Sequence, residues 1–189
     1  MTNWIKSEDV TGLLKPGMTV FIAGGTAEPR EILAALTAHG DKCAGVRFIS
    51  VCVPGMNGGN FTDIDDRVQA TAFFATPENR EAVATGRIDF IPLQYRAIFD
   101  YLEHDLDIDA AILQLPPIGD NDSFSLGIGG DFSSAVISEA GMVIGEINQR
   151  QPFPVNSQTF PLSRLNYAVA CDRPVPTFPL AEMDQTART

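Results

Sequence analysis

Short, nearly uninterrupted apolar runs, each followed by a loop and then by residues with helical spacing, recur along this chain. Met18–Ala23, Val46–Val53, Val68–Phe74, Ile88–Ile91, Ala110–Leu115, Met142–Ile147 and Asn166–Cys171 are such runs. Each is short and rich in β-branched or aromatic residues, so each is predicted as a strand. A strand with one wet face alternates apolar with polar residues, whereas one covered on both faces does not. The runs therefore predict the α/β class, with a mostly parallel sheet and helices on both faces.

The intervening segments carry helix signals. Ser7–Leu14 reads as an opening helix, with Glu8 and Asp9 in the first turn where the dipole favours acids. After the turn Lys15-Pro16-Gly17, Pro29 suits a first helical turn, and Ile32, Leu33 and Leu36 form a stripe that Gly40 ends. Thr76-Pro77-Glu78 reads as a helix start closed by Gly86. Leu93–Glu103 carries Ile98, Tyr101 and Leu102 at helical spacing, and Asp131 is the expected N-cap of a helix reaching Ala140. Phe124–Ile128 is a further candidate strand. Beyond Cys171, Pro174, Pro176 and Pro179 precede a polar end. One domain is expected over 1–173, with a Pro-rich linker or tail over 174–189.

Composition limits the partners. With 189 residues and a formal charge of -11, the chain has no basic run to neutralise a phosphate backbone, so nucleic acid is not expected. No apolar stretch approaches the roughly 20 residues of a membrane helix, and Met1–Ser7 lacks the apolar centre of a signal peptide. Cys43, Cys52 and Cys171 have no metal-ligand spacing, and three cannot all pair. A cytoplasmic protein without membrane contact is expected.

In a parallel sheet, ligands bind beyond the carboxyl ends of the strands. Three glycine-bearing loops follow predicted strands: Gly24-Gly25-Thr26, Gly55–Gly59 and Gly127–Gly130. Glycine lets a backbone approach a ligand, and amides at the next turn can hold an anion or an oxyanion. Gly127-Ile128-Gly129-Gly130 is not a dinucleotide fingerprint, since G-x-G-x-x-G is absent. His39 and His104 read as solvated, and so does the Asp63, Asp65, Asp66 cluster, which lacks the rest of a calcium loop. Asp105, Asp107 and Asp109 alternate with Leu106 and Ile108 as in an exposed approach to a strand. Glu146, inside an apolar run, is expected to have a structural partner. No Ser, His and acid grouping stands out, so no catalytic residue and no metal ligand is assigned.

Several stretches are familiar in order. Gly17-Met18-Thr19-Val20 with Gly24-Gly25-Thr26-Ala27-Glu28-Pro29 resembles the opening of the acetyl-CoA hydrolase/transferase family, which includes the acetate and 4-hydroxybutyrate CoA-transferases. Asp109–Gln114 with Pro116-Pro117, Asp122–Gly127 with Asp131-Phe132, Val143–Asn148 and Asp172-Arg173-Pro174 are similar to later parts of its N-terminal domain. The resemblance implies the CoA-transferase-like fold and two similar α/β domains in about twice this length. It also implies chemistry at a glutamate of the second domain, through an acyl-glutamyl anhydride and a glutamyl-CoA thioester. No stretch here matches that glutamate motif, so no turnover by this chain alone is expected.

On this reading Gly24, Gly25, Thr26, Glu28, Gly55, Met56, Asn57, Ser125 and Gly127 are the candidate substrate- and CoA-binding residues, and Gln94 and Tyr95 join them because they follow a predicted strand and a proline. Acyl-CoA and a small carboxylate are the expected substrates, coenzyme A being a substrate with no separate cofactor. The expected partner is a second CoA-transferase domain or subunit, in an oligomer. Two other readings stay open: a non-catalytic module binding CoA or a small anion, and a pure assembly role.

Overall fold

A computed structural model describes residues 2–119 and 122–177. The strands are β1 (Asn3–Ile5), β2 (Thr19–Ile22), β3 (Arg47–Ser50), β4 (Gln69–Ala72), β5 (Ile88–Phe90), β6 (Ala110–Leu115), β7 (Ser123–Ser125), β8 (Met142–Asn148), β9 (Thr159–Pro161) and β10 (Tyr167–Cys171). Eight of them form one sheet in the order β1-β10-β8-β6-β2-β3-β4-β5, and every pairing in it is parallel. β7 and β9 form a separate antiparallel pair. The helices are α1 (Arg30–Ala38), α2 (Arg80–Ala84), α3 (Tyr95–His104) and α4 (Ser133–Ile137).

Side chains alternate across a strand, and this sheet uses both faces. Val20, Ile22, Ile112 and Ile144 pack under Ile32 and Leu36 of α1. Phe21, Ala111, Leu113 and Val143 pack with Ile98 and Leu102 of α3 and Val136 of α4. Each such large side chain contributes about 1.5–3 kcal/mol by leaving water. Double-sided burial is what erases the alternation in the sequence.

Some boundaries differ from the sequence expectations. The opening helix is a 3₁₀ stretch, Ser7–Gly12, whose start is fixed by the Lys6 amide donating to the Asp9 carboxylate at 3.1 Å. Val10, Thr11 and Gly12 are poor helix formers, which leaves little to extend it. The helix expected from Asp131 to Ala140 shrinks to α4, with Phe132 at the cap position. Its serines and β-branched residues oppose a longer helix. The strand expected over Phe124–Ile128 is β7, outside the main sheet. β1 and β9 had no counterpart in the sequence reading. Residues 178–189 of the expected tail lie outside the described residues.

Candidate functional site

All eight parallel strands have their carboxyl ends at one edge of the sheet, and two glycine loops meet there directly. Gly24 lies where the exits of β2 and β3 run side by side. A Cβ at Gly24 would stand 2.0 Å from the Val51 carbonyl oxygen, a backbone atom that cannot swing aside. Gly24→Ala is expected to push the two exits apart at a cost of about 3 kcal/mol, the upper end for overpacking. A lowered urea midpoint checks this, and an unchanged midpoint would contradict the contact.

Asn57 stitches the same two loops. Its Oδ1 accepts from the amides of Gly25 at 2.7 Å and Val53 at 2.9 Å, and its Nδ2 donates to the Gly25 carbonyl at 3.0 Å. The side chain is buried, so it acts as a short piece of added backbone. Arg30 reinforces the join: its Nε donates to Glu28 Oε2 at 2.7 Å and its Nη2 to the Met56 carbonyl at 3.0 Å. Gly55 forms the bend between them at φ +79°.

The third loop closes on the first. Thr26 Oγ1 donates to the Ile128 carbonyl at 3.1 Å. Gly129 lies so close to Ala27 that a Cβ would be 2.6 Å from the alanine methyl. Tyr95, at the start of α3, tilts against Phe132 with ring centroids 4.5 Å apart. Gly24, Gly25, Thr26, Glu28, Gly55, Met56, Asn57 and Tyr95 thus share one edge of the fold.

Ser125 and Gln94 have different surroundings. Ser125 is fully buried; its hydroxyl accepts from the Gly127 amide at 2.8 Å and shares a short hydrogen bond with Ser157. It holds the turn at Gly127. Gln94 occupies the cap position of α3, exposed, with no side-chain capping bond.

A hollow of about 250 Å³ opens among these loops, walled by Val51, Val53, Pro54, Phe74, Tyr95 and Asp131. A second hollow of about 400 Å³ adjoins it and shares Tyr95 and Asp131. Burial pushes the Asp131 carboxyl above the usual range, against the pull of the Phe132 amide and its own. Burial raises the Tyr95 hydroxyl too, and the Asp131 charge adds to it. A larger groove of about 570 Å³ runs along β4 and β5 between Arg47 and Phe90, away from the glycine loops.

Beneath the loops lies a chain of buried polar groups from alternate positions of β6 and β8. Gln114 Nε2 donates to the Thr26 carbonyl at 2.9 Å, and Asn148 Nδ2 donates to Gln114 Oε1 at 2.8 Å. Arg173 donates to Glu146 Oε1 at 3.0 Å and to the Glu28 carbonyl at 2.7 Å. Glu146 Oε2 accepts from the Ile32 amide in the first turn of α1 at 3.0 Å. Burial holds the Glu146 carboxyl above the ordinary range, opposed by the Ile32 amide and by Arg173. Glu146 therefore has the structural partner expected for it.

The remaining candidates stay peripheral. His104 is exposed beside Glu103, Asp65 pairs with Arg67 and Asp66 with Arg87. Hydrogen bonds from Arg67 lower the half-buried Asp65 carboxyl to about 2. Among the described residues no three His, Cys, Asp or Glu side chains gather to hold a metal. No helix among them is long and apolar enough to cross a membrane. Cys43, Cys52 and Cys171 are free and buried, and burial pushes each thiol up to about 11.

Residues 2–179 match the acetyl-CoA hydrolase/transferase N-terminal domain. The chain belongs to the acetyl-CoA hydrolase/transferase family. It is 22% identical over 172 residues to 4-hydroxybutyrate coenzyme A transferase of Clostridium kluyveri, covering 90% of this chain and 40% of that protein. It is 25% identical over 175 residues to succinyl-CoA:acetate/propanoyl-CoA:succinate CoA transferase of Fasciola hepatica, covering 90% and 36%. It therefore spans well under half the length of these relatives. RipA from Yersinia pestis superposes with a TM-score of 0.84 at 19% identity, covering 97% of this chain and 45% of that one. The 4-hydroxybutyrate CoA-transferase from Porphyromonas gingivalis gives 0.65 at 16%, covering 92% and 40%. These likenesses establish the CoA-transferase-like α/β fold.

In this acetyl-CoA hydrolase/transferase chain, sequence reasoning did not single out Asp131, Gln114, Asn148 and Arg173 as site residues. Gln114 and Asn148 carry a readable signal, since each is an amide inside an otherwise apolar run. Such a residue, once buried, must find a partner. Arg173 and Asp131 sit in loops, where only the tertiary structure brings them to the cleft.

Proposed function

We propose that this chain is the substrate-side domain of an acyl-CoA:carboxylate CoA-transferase. The observation carrying the reading is an apolar hollow of acyl size framed by glycine-bearing loops at the carboxyl edge of the sheet, in a chain of this family. On this reading the Gly24–Glu28 loop and its neighbours present backbone amides to the thioester carbonyl, where they stabilise developing negative charge. The acyl group extends between Tyr95 and Val53. A glutamate outside this chain attacks the carbonyl carbon and expels the CoA thiolate, giving an acyl-glutamyl anhydride. The thiolate then attacks the glutamyl carbonyl and releases the carboxylate product, leaving a glutamyl-CoA thioester for the acceptor carboxylate to open by the reverse steps. Covalent catalysis of this kind divides one hard transfer into easier ones.

Coenzyme A is then a substrate, and no further cofactor is required. The nucleophile comes from a second domain or subunit in an oligomer, with residues 1–173 as the folded unit and the stretch from Pro174 as connector. Val53, Tyr95 and Ile128 are exposed at the cleft, and an apolar rim of this kind favours cover by such a partner. Three buried free thiols suit a reducing cytoplasm.

Exchange of labelled acetate into acetyl-CoA tests the reading. The purified chain is expected to give none, and joined to the family's second half it is expected to give exchange with a CoA thioester trapped on a glutamate of that half. Exchange by the chain alone that disappears in Asp131→Asn would overturn it. Tight CoA binding without exchange by the joined halves would favour a binding module.

A further inference from the structure

We infer that Asp131 makes the acyl hollow select acyl groups with an uncharged, apolar end over acyl groups that end in a carboxylate. The inference rests on the transferase reading of the cleft and adds the substrate class. Val51, Val53, Pro54, Phe74 and Tyr95 present hydrocarbon or ring surface, and Asp131 is the sole carboxylate among the described residues lining the hollow. Among the described residues no Lys, Arg or His lines it, so none of them compensates a second negative charge. Cys52 also borders the space, with its thiol held neutral by burial.

The neighbouring hollow does hold a cation, Arg96, which is already committed. Its guanidinium contacts the Asp100 carboxylate at 3.1 Å and lies 5.9 Å from the centre of the Phe99 ring. Asp131 faces inward: its Oδ2 lies 3.9 Å from where a Cβ on Gly25 would stand, beside the loop that frames the hollow. A round hollow of 250 Å³ is about 8 Å across, so a carboxylate anywhere inside lies within one screening length of Asp131. Such a group would lose hydration against apolar walls and meet a like charge, and among the described lining residues only the Tyr95 hydroxyl and the Cys52 thiol could donate to it, with no cation. An aliphatic end loses nothing on entering and leaves water.

The test uses two thioesters of N-acetylcysteamine, which carry the acyl group without CoA. The 4-methylpentanoyl and succinyl forms have nearly the same shape and differ in charge at the far end. Each is titrated into the isotope-labelled 189-residue chain at neutral pH, following the amide signals of Val53, Phe74 and Tyr95. The 4-methylpentanoyl form is expected to bind at least tenfold more tightly, and Asp131→Asn to narrow the ratio below about threefold. Equal binding to the native chain, or an unchanged ratio in a folded Asp131→Asn, overturns the inference, as does a failure of both thioesters to move those signals. The native-chain ratio stands on its own if the variant does not fold. Neither measurement needs CoA exchange. Selectivity in a protein whose joined halves fail to exchange would remove the transferase reading alone, and exchange without selectivity would remove this inference alone.

Discussion

Replacing Arg173 with methionine is expected to lower folding stability by about 3–5 kcal/mol, the range for removing one member of a buried ion pair. Glu146 is fully buried, and the Arg173 side chain is only 13% exposed. Methionine keeps much of the volume and leaves the carboxylate with the Ile32 amide but no cation. The Glu28 carbonyl loses a donor at the same time. Urea unfolding should show a lower midpoint with little change in slope, since the surface exposed on unfolding is similar. The cost should depend on pH. Burial already raises the folded-state pKa of Glu146, and Arg173 is one of the influences holding it down. Without Arg173 it rises further, so the folded variant binds the proton more firmly than the unfolded chain. Its stability then falls as pH rises from about 4, the ordinary glutamate range, through the folded-state pKa. The gap between native chain and variant should be small in acid and full at neutral pH. A gap independent of pH would contradict an unpaired buried charge.

Asn57→Ala is expected to cost about 3 kcal/mol or more, and to separate the two loops that frame the cleft. The side chain satisfies two amides and one carbonyl, and a buried group left unpaired costs about 1–3 kcal/mol. Hydrogen exchange should speed up at Gly25 and Val53, whose amides lose their acceptor. Asn57→Asp is the informative companion, since it retains both accepting bonds and loses the donation to the Gly25 carbonyl. It should protect those amides more than alanine does. Unchanged exchange in Asn57→Ala would mean that the loops are held by other contacts.

Most of the sheet was legible because parallel strands covered on both faces write themselves as apolar runs. Each of the seven predicted runs overlaps a strand of the main sheet, Ala110–Leu115 with the same limits and Met142–Ile147 one residue short of β8. β1 escaped because Asn3-Trp4-Ile5 is too short to show a period, and its strand character comes from pairing with β10. β9 lies in a proline-rich stretch and depends on β7 in the same way. At the cleft, the glycines mark loops that meet at one edge of the sheet, since close backbone approach excludes a side chain at Gly24 and Gly129. They could not separate residues that face the hollow from residues that hold it together. Asn57 and Ser125, candidate ligand contacts on the sequence, make hydrogen bonds to the protein itself. Asp131 was read as a helix cap because only the folded chain turns it toward Tyr95 and Val53.

The seating of β1 has a consequence for how the molecule is made. Asn3 pairs with Tyr167, so β1 has to wait on the ribosome for β10, made well after it. At about 5–20 residues per second, that delay is on the order of ten to thirty seconds. Throughout it Trp4 and Ile5 travel as an unattached apolar stretch, open to chaperones and to neighbouring nascent chains, while the rest of the sheet can already assemble.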